Sequence, residues 1–134
     1  MGVSDQQLID FARGLTEDLA ERAPEIEAAR HLPPDLAEQF ANGGLFHALV
    51  PEEYGGSEVH PETLVEVIRQ VAQGDGSAGW NVMIGATTGL LSASLAPEFA
   101  SEIYGNGPGV LTVGVTAPMG RAEAVEGGYH VTGR

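Results

Sequence analysis

A chain of 134 residues, 43% of them hydrophobic, carries enough apolar material for one folded core. Nineteen acids face six bases, all arginine, and the net charge of −13 excludes the clustered cations that nucleic acids or anionic membranes need; the acids are scattered along helix faces, which reads as solubility. The absence of cysteine excludes disulfides, thiolate catalysis and cysteine-type zinc sites, and is compatible with the cytoplasm, the expected location.

The first residues contain neither a basic nor an apolar targeting region, so no signal peptide is expected. Gly2 does not make a myristoylation signal, because Gln6 stands where Ser or Thr is required. Ser4 caps a first helix in which Leu8, Phe11, Leu15 and Leu19 recur every three or four positions, and Pro24 is expected to end it. Glu25–Arg30 then reads as a short turn. Leu32-Pro-Pro-Asp35 restarts a helix carrying Leu36, Ala37 and Phe40, with Gly43 as its C′ residue. Leu45–Val50 is a short apolar piece closed by Pro51, and Tyr54-Gly55-Gly56 marks a turn. His47 has no histidine three or four residues on, so it reads as a packed or surface residue and not as a metal ligand.

Pro61 opens a helix running to about Gln73, with Leu64, Val65, Ile68, Val71 and Ala72 inward and Glu62, Glu66 and Arg69 outward; Glu66 and Arg69 are spaced to pair. Asp75 or Ser77 caps the next helix. From Ser77 to Ala96 twenty residues pass without a charge, which is long enough for a membrane span. Six Ser, Thr and Asn side chains and three glycines make that reading fail, and a helix covered on several sides in a soluble core is expected instead. Trp80, the single tryptophan, either fills that core or lines a pocket.

Pro97 begins a last helix, with Phe99, Ile103 and Tyr104 inward. Gly105-Asn-Gly-Pro-Gly109 follows a helix and precedes a strand, the reverse of a dinucleotide fingerprint, so it reads as a linker. Val110, Leu111, Val113 and Val115 form an apolar, largely β-branched run expected to be one strand, and Tyr129–Thr132, after Gly127-Gly128, a second. Between them Thr116-Ala-Pro-Met-Gly-Arg121 is a loop able to bring bare amides close to a ligand. No G-x-S-x-G elbow, H-E-x-x-H or P-loop occurs, and no catalytic or metal site is complete in this chain.

Four pieces carry a resemblance: Gly44-Leu-Phe, Val50-Pro-Glu-Glu-Tyr-Gly-Gly56, Gly76-Ser-Ala-Gly-Trp80, and the Thr116-x-Pro-x-Gly120 loop leading into Gly127-Gly-Tyr-x-Val-x-Gly-Arg134. In this order and spacing the chain resembles the acyl-CoA dehydrogenase superfamily of flavin enzymes. The resemblance implies a mainly α fold, with an up-and-down helical domain over 1–109 followed by the first strands of an incomplete β-barrel-like domain over 110–134. It also implies FAD, or alternatively FMN, with Val115 and Thr116 at the isoalloxazine edge, and a substrate pocket involving Trp80, Thr88, Gly120 and Arg121. Small-molecule substrates, an acyl-CoA or an aromatic compound, and a homodimer or homotetramer follow on the same ground.

Two branches are open. The first is α,β-dehydrogenation of an acyl thioester with hydride transfer to flavin, its base lying outside this chain. The alternative is a reduced-flavin-dependent monooxygenase of the hydroxylase-like type. Gly120-Arg121-Ala122 replaces the dehydrogenases' Gly-Ser-Asp, while Thr87-Thr88 stands where the hydroxylases carry a histidine two turns beyond the tryptophan. Threonine hydrogen-bonds but does not titrate near neutral pH. A third reading, from another class, is a non-catalytic helical module that docks on a partner. On either enzymatic reading the chain is expected to be the N-terminal part of a larger enzyme and, alone, to bind flavin weakly or not at all.

Overall fold

Local signals at the helix ends are met first. The computed structural model describes residues 3–115, 117 and 119–133, so that Thr116, Pro118 and Arg134 lie outside the described residues. Helix α1 (Asp5–Gly14) starts in a capping box, where Ser4 Oγ accepts the Gln7 amide at 3.4 Å and Gln7 Oε1 accepts the Ser4 amide at 3.0 Å. The chain bends at Leu15 and continues as α2 (Thr16–Ala29), which runs through Pro24 instead of stopping before it. Proline removes one helical hydrogen bond, but Leu19 and Ile26 on either side are buried, and that packing carries the helix across the break. Glu25–Ala29 is therefore the end of α2, and Arg30 terminates it in the left-handed region at φ 58.

Helix α3 (Pro34–Asn42) has Pro34 in its first turn. Gly43 keeps a helical φ of −77 and the positive φ, +79, falls on Gly44, one residue later than expected. Gly43 is small for a different reason: a Cβ there would lie 1.9 Å from the Phe11 ring. Arg22 ties α2 to α3, bonding Glu25 at 2.8 Å and Asp35 at 2.7 Å, and its hydrogen bonds hold both carboxyls below their ordinary range. A 3-10 turn at Leu45–His47 then buries Leu45, Phe46 and His47, while a second at Glu52–Tyr54 ends at Gly55 with φ +86.

Helix α4 (Pro61–Gly74) is the centre of the molecule and packs on α1, α2 and α5 (Gly76–Gly89). Its buried positions are Thr63, Leu64, Val67, Gln70 and Val71. Because neighbours cover it on more than one side, the inward set differs from the one expected from spacing: Thr63 and Gln70 are buried, whereas Val65 is 66% exposed and Ala72 is exposed too, although a Cβ on Gly79 of α5 would meet it directly. Asp75 ends α4 and begins α5, its carboxylate accepting the Ala78 amide at 2.7 Å. The uncharged stretch is not one helix. After Gly89 it tightens into a 3-10 turn, Leu90–Ser94, before α6 (Pro97–Tyr104). In α6 Ala100 and Tyr104 are buried, whereas Phe99 and Ile103 face outward, contrary to expectation; the helix is anchored on one narrow side only.

The two-strand expectation needs correction. Val110–Val115 forms no strand, and the hairpin consists of β1 (Arg121–Val125) and β2 (Gly128–Thr132), antiparallel from Arg121↔Thr132 to Val125↔Gly128 with Gly127 at φ +82. Strand propensity needs a paired neighbour to be realised, and the β-branched run lies beside helices instead. Every residue of the hairpin is exposed. The fold is thus five helices, α1 to α5, around one core built on Leu8, Leu19, Leu36, Phe40, Leu45, Val67, Val71 and Val82, with α6 on a smaller cluster of Val50, Tyr54, Ala100 and Tyr104, followed, among the described residues, by a single β-hairpin. Among the described residues no helix is long and apolar enough to cross a membrane.

Candidate functional site

Helix α5 has glycines on the side that meets its neighbours. A Cβ at Gly79 would stand 2.7 Å from the Ala72 Cβ, one at Gly85 2.6 Å from Leu111 and 2.7 Å from the Phe46 ring, and one at Gly89 2.9 Å from Val50. These close approaches seat α5 tightly on α4 and on the 3-10 turn. Its opposite side is left with Trp80, Met83, Ile84, Thr87, Thr88 and, one turn beyond, Leu91, spaced three and four residues apart. That stripe is apolar where a soluble helix ordinarily carries charge.

The extended segment Val110–Val115 crosses this stripe and closes it into a groove. Met83, Ile84, Thr87, Thr88, Leu91, Gly114 and Val115 line a space of about 460 Å³. It continues past Ile84, Gly114 and Val115 into an open part of about 490 Å³ bounded by Trp80. Gly114 runs alongside Thr88, whose Cγ2 and Oγ1 would each be 3.7 Å from a Cβ on the glycine. Among the described residues, Val110–Val115 makes no backbone-to-backbone hydrogen bond.

The groove is uncharged. Its polar side chains are the two threonines, and both hydroxyls donate within the helix, Thr87 to the Met83 carbonyl at 2.6 Å and Thr88 to the Ile84 carbonyl at 2.7 Å. Each oxygen retains acceptor capacity toward the groove. Among the described residues no group of three His, Asp or Glu side chains could hold a metal. His47 lies in the core, 3% exposed, with Nε2 2.7 Å from the Val110 carbonyl oxygen.

Of the residues singled out from sequence, Trp80, Thr88 and Val115 come together here. Trp80 is not a core residue: it is 63% exposed at the open end of the groove, and Val115 is 78% exposed on the opposite wall. The expectation that this helix is covered on several sides fails for the same face. Gly120 and Arg121 lie at the base of the hairpin, exposed, and are not among the lining residues; Thr116 falls outside the described residues. Thr87, named with Thr88 from the sequence, also lines the groove, while Met83, Ile84, Leu91 and Gly114 are lining residues that the sequence reading does not single out, although the first three follow Trp80 at helical spacing.

Comparison with known proteins agrees with this architecture. Residues 4–103 match the family model described as acyl-CoA dehydrogenase, N-terminal domain. The chain is 38% identical over 113 residues to an indole-3-acetate monooxygenase of Pseudomonas putida, covering 84% of this chain and 29% of that protein. It is 33% identical over 119 residues to the flavin-dependent monooxygenase oxygenase subunit HsaA of Rhodococcus jostii RHA1, covering 89% and 31%. The crystal structure of 3-HSA hydroxylase from Rhodococcus sp. RHA1 superposes with a TM-score of 0.88 at 31% identity, over 95% of this chain and 34% of that one. XiaF from Streptomyces sp., in complex with FADH2 and glycerol, superposes with a TM-score of 0.86 at 25% identity, over 96% and 33%. The chain therefore spans about a third of the length of the relatives it matches. With its helical core, its hairpin and the matched residues taken together, this chain belongs to the acyl-CoA dehydrogenase N-terminal domain family of the acyl-CoA dehydrogenase superfamily.

Proposed function

We propose that the groove between α5 and Val110–Val115 receives a flavin ring and an aromatic substrate, and that the chain forms the N-terminal part of a reduced-flavin-dependent monooxygenase. The observation that carries this reading is the uncharged stripe from Trp80 to Leu91 facing the unpaired backbone of Gly114 and Val115. Flat apolar rings bind in such grooves with a few polar groups to orient them. The relatives named above support the monooxygenase branch over acyl-thioester dehydrogenation, the first reading of the sequence.

The residues fit the cofactor. The Val115 amide is available to a ring heteroatom, and Trp80, Met83, Ile84 and Leu91 offer apolar contact and keep water out. A reduced flavin held there supplies two electrons to dioxygen, one of whose atoms enters the substrate while the other leaves as water. Thr87 and Thr88, already donating to the helix, accept from a substrate hydroxyl or NH and so orient the ring; they do not move a proton near neutral pH. FAD is the cofactor proposed, with FMN as the alternative. The substrate class is an aromatic acid or phenol.

The test is a titration of the isotopically labelled chain with FMN and FAD up to millimolar concentration, then with an indole- or phenol-type acid and with an acyl-CoA. Weak, saturable shifts confined to Trp80, Ile84, Thr88 and Val115, produced by flavin and the aromatic acid, are expected. Saturation by the acyl-CoA alone would return the dehydrogenase reading. No flavin response anywhere would leave the groove without its assigned ligand.

A further inference from the structure

Val115 and Gly114 form one wall of the groove, yet nothing at those two positions fixes them: they make no backbone-to-backbone hydrogen bond among the described residues and Val115 is largely exposed. What fixes the wall lies just upstream, where three consecutive residues are each held by a different part of the helical body. The Val110 carbonyl oxygen accepts a hydrogen bond from His47 Nε2 at 2.7 Å. Leu111 inserts into the notch left by Gly85, against Phe46. Thr112 Oγ1 and the Tyr104 hydroxyl are 3.1 Å apart. His47 and Tyr104 brace each other edge to face, with ring centroids 5.7 Å apart.

Both residues are buried, at 3% and 4% exposure, and neither lines the groove. A carbonyl oxygen has no proton to give, so the hydrogen in the His47 contact sits on Nε2 and the imidazole is the donor. In an extended chain Val115 lies three residues, about 10 Å, beyond Thr112, so an error at the anchor is carried to the groove's rim.

We infer that His47 and Tyr104 are positioning residues of the groove: as a two-point latch they set the distance between the Val110–Val115 wall and the α5 stripe, and through it the fit of a flat ring. The inference rests on the groove assignment above, but its test does not need the ligand. In the parent chain, a cross-peak between the Leu111 methyls and the Phe46 ring reports a closed latch, and the nitrogen spectrum of His47 reports a proton on Nε2.

His47→Leu, if folded by circular dichroism, is expected to lose at least half of the Leu111–Phe46 cross-peak intensity and to move the Val115 methyl signals. His47→Gln, which restores an NH donor at a similar reach, is expected to recover both. Tyr104→Phe is expected to shift Thr112 and Val115 while leaving α4 unchanged. Parent-like Leu111 and Val115 signals in a folded His47→Leu protein overturn the latch. If that variant does not fold, parent-like Thr112 and Val115 signals in Tyr104→Phe overturn it. The flavin titration is repeated in parallel, with about tenfold weaker binding expected for His47→Leu. A parent chain that ignores flavin defeats the groove assignment, while the cross-peaks still decide the latch.

Discussion

Helices α4 and α5 are each fourteen residues long, share Asp75 at their junction and pack on one another, yet their outward sides have opposite chemistry. Helix α4 turns Glu62, Glu66, Arg69 and Gln73 outward beside the exposed Val65 and Ala72, as a helix does when its free side meets water. Helix α5 turns out Trp80, Met83, Ile84 and the two threonines, with Leu91 on the turn that follows. Leaving a stripe of that kind uncovered gains nothing for the fold. The contrast separates a helix whose every side serves stability from one whose inner side serves stability and whose outer side is left to the ligand proposed for the groove.

The sharpest way to break this comparison is to disturb the shared inner surface. Gly79→Val forces methyl groups into Ala72, whose Cα and Cβ would stand only 3.0 and 2.7 Å from even a single added carbon. A loss of about 1–3 kcal/mol, or more, in urea unfolding is expected for this overpacking, and a neutral result would mean that the helices are not in close contact. Asp75→Ala removes the cap on α5 and is expected to cost about 1 kcal/mol by the same measurement, since the Ala78 amide loses its acceptor.

The outer sides give smaller effects on stability and opposite ones on binding. Trp80→Gln is expected to change unfolding free energy by no more than about 0.5 kcal/mol, as for surface positions in general, while abolishing the flavin-induced shifts at Ile84 and Val115. A large destabilisation would make Trp80 a core residue after all. On α4 the expected effect is smallest. Hydrogen bonds from Arg69, then from Gln70, pull the Glu66 carboxyl from its ordinary 4.5 down to about 2. A depressed folded-state value means that the contribution is complete above about pH 4.5 and is lost as the pH falls toward 2. Glu66→Gln should lower the melting temperature slightly at pH 7 and not at pH 2. Added salt should shrink the difference, because the pair is open to solvent.

Much of the helical part was legible because its signals are local. Ser4, Pro34, Pro61, Asp75 and Pro97 begin helices by chemistry that acts within one turn, and Glu66 and Arg69 pair because the helix sets their distance. Where local signals and packing compete, packing decides. Pro24 should stop a helix and does not, since Leu19 and Ile26 hold both sides of it in the core. Val110–Val115 has strand propensity and finds no strand to pair with among the described residues, so the hairpin begins only at Arg121, well past the β-branched run.

The same division runs through the site. Periodicity alone marks Trp80, Ile84 and Thr88 as one stripe, and composition alone makes that stripe uncharged; both are properties of residue type and of about 3.6 residues per turn. Which way the stripe points depends on Gly79, Gly85 and Gly89, whose missing side chains let α4, Phe46 and Leu111 approach one side of α5 and so commit the other to the groove. That His47, distant in sequence from Val110, and Tyr104 should together hold the wall against the stripe could be decided only by the packed chain. Sequence sets which surfaces a helix can present, and contacts between distant segments set which of them is left open, because burial is a property of neighbours and not of a residue alone.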